Sequence, residues 1–156
     1  FALVENVAYL LHLEQATVWL WAVRGFGTAI MHGSTTAMFA ILGKGLSDRH
    51  PDLPIWLAGF SFGAAMAVKA AAAEPVDGLV ADAPAISRFA QGLETQPSCP
   101  WLIVQGDEDE LVDVEETVAW VDSLEPGPEL LIINGGEHFF HGRLGELRDA
   151  VMRFVQ

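Results

Sequence analysis

Gly59-Phe60-Ser61-Phe62-Gly63 is the first place in this sequence where side chains could do covalent chemistry. A serine hydroxyl is a weak nucleophile near neutral pH. It needs a base to take its proton and a backbone that presents it. Here the serine stands between a short apolar run, Ile55-Trp56-Leu57-Ala58, and a stretch from Phe62 to Ala73 built almost wholly of alanine with Met66, Val68 and Lys69. That context reads as a buried strand joined by a sharp turn to a strong helix. Such a turn strains its central residue, and flanking side chains would meet neighbouring strands. Glycine at Gly59 and Gly63 is expected to remove those collisions, while Ala64 and Ala65 keep the first helical turn slim. The geometry would lift the Ser61 hydroxyl above the sheet edge. It would also aim the helix N-terminus and the Phe62 backbone N–H at the same point, where an oxyanion would form. The plainer reading is a Gly-Ser turn that only starts a helix.

Acyl transfer by such a serine needs an acid and a base; in a fold that presents its serine on a strand-to-helix turn, they are expected in the order Ser, Asp or Glu, His, each just beyond a strand. After the apolar run Trp101 to Gln105 comes Gly106-Asp107-Glu108-Asp109-Glu110-Leu111-Val112. Most acids in such a row are expected to be a solvated face. Asp109 is the choice for the acid because Gly106 permits a turn and Leu111-Val112 would pin the loop back on apolar surface; Asp107 is its main competitor, and Asp82, closing Gly78-Leu79-Val80-Ala81, is another. After Leu130 to Ile133 comes Asn134-Gly135-Gly136-Glu137-His138-Phe139-Phe140-His141. His138 sits in the glycine loop where a base could swing over Ser61, and His141 reads as a capping or surface group. His138 must be neutral to accept a proton, so turnover is expected to fall as pH drops through the usual imidazole range of about 6–7. Phe60 and Phe62 flank the nucleophile and would make the adjoining pocket apolar, favouring short acyl or aromatic esters over charged ones.

The elements that must hold these residues follow from periodicity. Apolar, β-branched runs at 17–23, Ile55–Ala58, Gly78–Ala81, Trp101–Gln105 and Leu130–Ile133 read as strands. Helices are expected at 4–13, 34–47, Phe62–Ala73, Val114–Leu124 and about Gly142–Val155, the last with Leu144, Leu147, Val151 and Phe154 at helical spacing. Continuous apolar strands alternating with helices signal a mostly parallel sheet covered on both faces, a three-layer α/β/α fold. No repeat or linker divides residues 1–156, which read as a single domain.

Composition narrows the partners. With 8 basic against 21 acidic residues the net charge is -13, which argues against nucleic acid and against an anionic membrane surface. Apolar residues make up 51%, an ordinary globular share, and no uninterrupted apolar run is long enough to span a bilayer. The start shows no signal-peptide pattern. Cys99 is the one cysteine, expected to be a buried structural thiol in a reducing, cytoplasmic compartment. His12, His32 and His50 are scattered without metal-ligand spacing, and Gly25-x-Gly27 lacks the third glycine of a dinucleotide loop, so no metal and no cofactor is implied.

Arg49-His50-Pro51-Asp52-Leu53-Pro54-Ile55-Trp56-Leu57-Ala58-Gly59-Phe60-Ser61-Phe62-Gly63 closely resembles a group of small bacterial α/β-hydrolases known as predicted hydrolases or esterases. Pro97 to Asp109 and Glu137-His138-Phe139-Phe140-His141-Gly142 are similar to the same group, so the resemblance runs from about Arg49 to the end. It implies an α/β-hydrolase fold and an esterase-like serine hydrolase with Ser61, Asp109 and His138 as its triad. Ala16 to Gly27 still looks like the family's strand and Arg-Gly-x-Gly turn, but Ala29 replaces an expected serine and the segment to Ser47 departs. Relatives also begin with further strands and a loop that supplies a second oxyanion donor. The chain from Phe1 therefore reads as an N-terminally incomplete domain, either a fragment or a family member that lost part of its sheet, with Phe62 N–H as its one expected donor, a loss that typically costs about 10²–10³ in turnover. The expected partner is a small-molecule ester or acyl compound. The alternative function is a non-catalytic α/β-hydrolase-like binding protein. Exposed sheet edges offer a route to a homo-oligomer.

Overall fold

The computed structural model describes residues 45–46, 48–89 and 95–156. Strand β1 (Trp56–Phe60) is followed by helix α1 (Phe62–Ala73), β2 (Gly78–Asp82), α2 (Ile86–Phe89), β3 (Trp101–Gly106), α3 (Val114–Asp122), β4 (Glu129–Ile133) and α4 (Leu144–Phe154). The elements expected at 4–13 and 17–23, most of that at 34–47, and Ala29, His12 and His32 lie outside the described residues.

The described strands form one parallel sheet in the order β1-β2-β3-β4. Register pairs Phe60 with Asp82, Asp82 with Val104, and Gly106 with Ile133, so the strands end along one common edge. Parallel neighbours need crossovers, and right-handed crossovers that add strands in one direction lay their helices on the same face. One face accordingly carries α1, α2 and α3: Ala64, Ala65, Ala67, Val68 and Ala71 pack with Leu79, Ala81, Ile103, Ile86 and Val121. On the other face Leu147, Val151 and Phe154 of α4 pack against Val80, Leu102, Val104 and Ile133. This is the three-layer α/β/α arrangement with a parallel sheet.

Several boundaries and packing details differ from expectation. Strand β1 runs on to Phe60 and is not buried throughout: Trp56, Ala58 and Phe60 alternate outward, with Trp56 meeting Phe154 of α4 edge to face. The single-turn helix α2 was not anticipated, because Ile86-Ser87-Arg88-Phe89 is too short to show a helical period. In α4, Leu144 lies on the open side rather than in the core.

The two elbow glycines are not equivalent. A Cβ on Gly59 would collide with the backbone of Gly63 and Ala64, so the strand and the helix approach this closely only because Gly59 has none. A Cβ on Gly63 would meet no described atom within 4 Å, contrary to the expectation that both glycines relieve collisions. Gly59→Ala is therefore expected to lower stability by more than about 2 kcal/mol through overpacking. Gly63→Ala should leave it within about 1 kcal/mol, since alanine suits a helix better than glycine. Urea denaturation midpoints of the two variants check this.

Candidate active site

Ser61 occupies the turn between β1 and α1 with φ 54° and ψ -117°, a left-handed conformation that a serine adopts only under constraint. Three contacts supply that constraint. The Ser61 N–H donates to the Asp82 carbonyl at 2.8 Å, the Ser61 carbonyl accepts from Ala65 N–H at 3.2 Å, and the Gly59–Gly63 approach closes the turn. Ser61 is the N-cap of α1 but its side chain makes no capping bond, and the first turn of α1 contains no acid. The hydroxyl is thereby left available, and the N–H groups at the helix start face no carboxylate of their own element.

The hydroxyl is used elsewhere. Ser61 Oγ lies 3.0 Å from His138 Nε2, although the residues are 77 apart in sequence. His138 Nδ1 lies 2.9 and 3.0 Å from the two oxygens of Asp109. The His138 ring and the Asp109 carboxyl are almost wholly sealed from solvent, with side-chain exposures of 3% and 0%. Burial alone raises the Asp109 carboxyl. Hydrogen bonds from His138, the Val112 and Leu111 N–H groups and Gln105 outweigh it and hold the group below its ordinary value. An ionised carboxylate only accepts, so Nδ1 carries the proton and Nε2 is the lone-pair nitrogen that accepts from Ser61.

Most of the acidic run is exposed, as expected: Asp107, Glu108 and Glu110 are open to solvent and Asp109 is the exception. Asp109 Oδ1 accepts from Leu111 N–H and Val112 N–H at 2.8 Å each, and Oδ2 from Gln105 Nε2 at 2.9 Å. The loop is thus pinned by these N–H groups and by Val112, which is buried, while Leu111 is exposed. Asp107, the competitor for the acid, turns to the base loop instead and accepts from Gly135 N–H at 2.6 Å. Glu110 Oε2 accepts from the His138 backbone N–H at 3.2 Å, and Glu108 N–H donates to the Gly136 carbonyl at 3.1 Å. Gly106 lies inside β3, and its value is space: a Cβ there would collide with the Gly136 carbonyl. Gly135 takes φ 65°, the other glycine requirement of this pair of loops.

The remaining sequence candidates fall into place. His141 is 74% exposed and pairs with Glu137 at 3.4 Å, away from Ser61 Oγ. Phe60 lies against the imidazole, ring centroids 5.0 Å apart, but the Phe62 ring packs on Phe89 of α2 and only its backbone N–H remains at the turn. Asp82 Oδ1 is buried without a hydrogen-bond partner, and burial pushes its carboxyl from 3.8 up to about 6. Cys99 packs partly buried against the core, and burial raises its thiol. Among the described residues no group of His, Cys, Asp and Glu is arranged to hold a metal ion, and no helix is long and apolar enough to cross a membrane. Gln105 was missed. It reads as the last residue of an apolar strand, yet it is fully buried and its amide orients Asp109.

No protein-family model matches the chain, and no curated protein matches it. Solved structures do. An alpha-beta serine hydrolase homologue from Coxiella burnetii is 30% identical with a TM-score of 0.63, over 97% of this chain and 75% of that one. An a/b serine hydrolase without lid from Xanthomonas campestris is 38% identical with a TM-score of 0.68, over 73% of this chain and 52% of its own, so the present chain spans about half its length. A Pyrococcus furiosus esterase, 22% identical with a TM-score of 0.58 over 72% of this chain and 57% of its own, shares the fold.

The two buried carboxyls give stability opposite pH dependences. Asp82 has a raised folded-state value, so its ionisation opposes folding; that cost is complete above about 6 and absent below 3.8. Asp109 has a lowered value, so its contribution is present above the ordinary carboxylate range and lost as pH falls through the folded-state value. Asp82→Asn should therefore be more stable than the parent at pH near 8, on the order of 1–2 kcal/mol after allowance for partial solvent access. The advantage should close toward pH near 4, and Asp109→Asn should be less stable at neutral pH; urea titrations across pH measure both.

Proposed function

The chain belongs to the α/β-hydrolase superfamily, and from that premise we propose that it is a serine hydrolase cleaving carboxylic esters through an acyl-enzyme on Ser61. The observation that carries the proposal is the buried relay from Ser61 Oγ to His138 Nε2 at 3.0 Å and from His138 Nδ1 to Asp109 at 2.9 Å. A relay of this kind does one thing well: it removes a hydroxyl proton while keeping the resulting imidazolium beside a carboxylate.

In the proposed cycle the ester carbonyl settles above the Ser61 turn. Ser61 Oγ attacks the carbonyl carbon as its proton passes to His138 Nε2. The positive charge that develops on the ring is stabilised by Asp109, which stays ionised and keeps the ring from rotating. Negative charge on the carbonyl oxygen meets the Phe62 N–H and the positive end of α1, where no acidic side chain competes. Collapse expels the alcohol, which takes the proton back from Nε2. Water then repeats the sequence on the acyl-enzyme and frees the acid. No step calls for a metal or a cofactor. The roles are therefore Ser61 as nucleophile, His138 as general base and acid, Asp109 as the group that fixes the tautomer, and Phe62 as backbone oxyanion donor.

The substrate is a small molecule, and esters fit better than charged acyl compounds because Phe60 lines the imidazole and acids crowd the two loops. A reducing, cytoplasmic setting suits the single thiol of Cys99.

A fluorophosphonate probe tests the reading. The protein should take up one adduct on Ser61, Ser61→Ala should take up none, and Asp109→Asn should react roughly 10²–10⁴-fold more slowly because the wrong tautomer is then allowed. A folded protein that is not labelled, followed by mass spectrometry of the intact chain, overturns the proposal in favour of a non-catalytic binding role.

A further inference from the structure

Phe139 follows His138 directly, and the chain turns sharply at the next residue. Phe140 takes φ 52° and is buried in the core beneath α4, which leaves Phe139 facing outward and 53% exposed. A left-handed conformation at a bulky residue is costly, and here it separates two adjacent phenyl rings into the core and the surface. The exposed ring is not isolated. Phe139 meets the His138 imidazole edge to face at 5.1 Å and the Phe60 ring at 5.7 Å, and Phe60, 40% exposed, lies 5.0 Å from the same imidazole. The three rings are in mutual contact, and two of them present open apolar surface against the imidazole whose Nε2 faces Ser61.

The chemistry of acyl transfer says which part of a substrate lies there. The nitrogen that takes the serine proton later returns it to the departing alcohol, so the alcohol oxygen must come within hydrogen-bond reach of His138 Nε2. Substituents on that oxygen then lie beside whatever packs on the imidazole, which is Phe60 and Phe139. Phe62, which flanks Ser61 in sequence, is spent on Phe89 and offers no such surface. Glu137 stands next to His138 and is exposed, and Glu110 is held on the His138 backbone, so an anionic alcohol would be repelled.

We propose that Phe139 and Phe60 form a subsite for the alcohol portion of the ester, and that this portion is aromatic and not anionic. The proposal rests on the serine hydrolase reading and deepens it. Phe139 is a specificity-determining residue in this account, since a planar group stacking on two exposed rings gains both apolar burial and favourable ring geometry.

The test varies the alcohol at fixed acyl group, using 2-phenylethyl acetate and ethyl acetate, whose alcohols leave with similar intrinsic ease. The parent should favour the phenylethyl ester by about 10-fold or more in kcat/KM, the gain expected from covering one ring. Phe139→Ala should cut that preference by roughly 5-fold or more, and Phe139→Trp should retain it, because its ring restores the stacking surface. Harm to the His138 position would slow both esters together and leave the ratio untouched. Should turnover of both esters be too slow to follow, 2-phenylethanol should protect Ser61 from the fluorophosphonate at lower concentration than ethanol, and Phe139→Ala should narrow the difference by a similar factor.

An unchanged ratio and unchanged protection in Phe139→Ala overturn the inference while Ser61 labelling keeps the hydrolase reading alive. A parent that is never labelled overturns that reading first. A parent that sediments as a dimer while Phe139→Ala sediments as a monomer, with the ester ratio unmoved, assigns the exposed rings to a second copy of the chain and also overturns the inference.

Discussion

The Asp109 carboxylate organises everything around it. It has no solvent contact through its side chain, yet it is held below its ordinary pKa, because four donors converge on its two oxygens: the Gln105 amide, the Leu111 and Val112 N–H groups, and His138 Nδ1. An unpaired buried charge would be costly, whereas this one is paired and hydrogen-bonded throughout. Because it accepts and cannot donate, it dictates which imidazole nitrogen carries the proton. The lone pair on the opposite nitrogen, facing Ser61, follows from that choice.

The same few residues also place the loops. Gly106 and Gly136 approach so closely that a Cβ on Gly106 would collide with the Gly136 carbonyl, so the acid loop and the base loop meet here only because Gly106 has none. Asp107, Glu108 and Glu110 then stitch the two together through Gly135, Gly136 and the His138 backbone. The run is largely exposed, and Asp107, Asp109 and Glu110 in it also satisfy N–H groups of loops that have no sheet partner, which is the obligation every such backbone donor carries. Asp113, further along, performs the equivalent service as the N-cap of α3, accepting from Glu115 and Glu116 N–H. The parallel sheet supplies the remaining condition. Its described strands end at one edge, so a serine after β1, a carboxylate after β3 and an imidazole after β4 arrive within hydrogen-bond distance.

The parts of this arrangement that were legible in the sequence are those with a local signature. Helix α1 was readable because an alanine-rich run has one strong preference, and the strand ends were marked by glycine or by a change to charge. Asp109 and His138 could be chosen because strand order limits where an acid and a base can stand. Gln105 was not legible, since an amide in an apolar strand looks the same whether it faces a carboxylate or the core. The division of labour among Asp107, Asp109 and Glu110 depends on the meeting of two loops far apart in sequence, which no local pattern encodes. Phe62 left its expected place for a similar reason. Adjacency to Ser61 suggested a pocket wall, but the helical direction of α1 carries the Phe62 ring to α2, and the left-handed Phe140 turns Phe139 outward instead.

Proton NMR of the imidazole tests the central interaction most directly. A proton on His138 Nδ1, shielded from exchange and strongly hydrogen-bonded to Asp109, should give a far-downfield resonance in the resting protein at neutral pH. That resonance should survive in Ser61→Ala and vanish in Asp109→Asn. Its absence from the folded parent, or its persistence unchanged when Asp109 is replaced, would contradict the account.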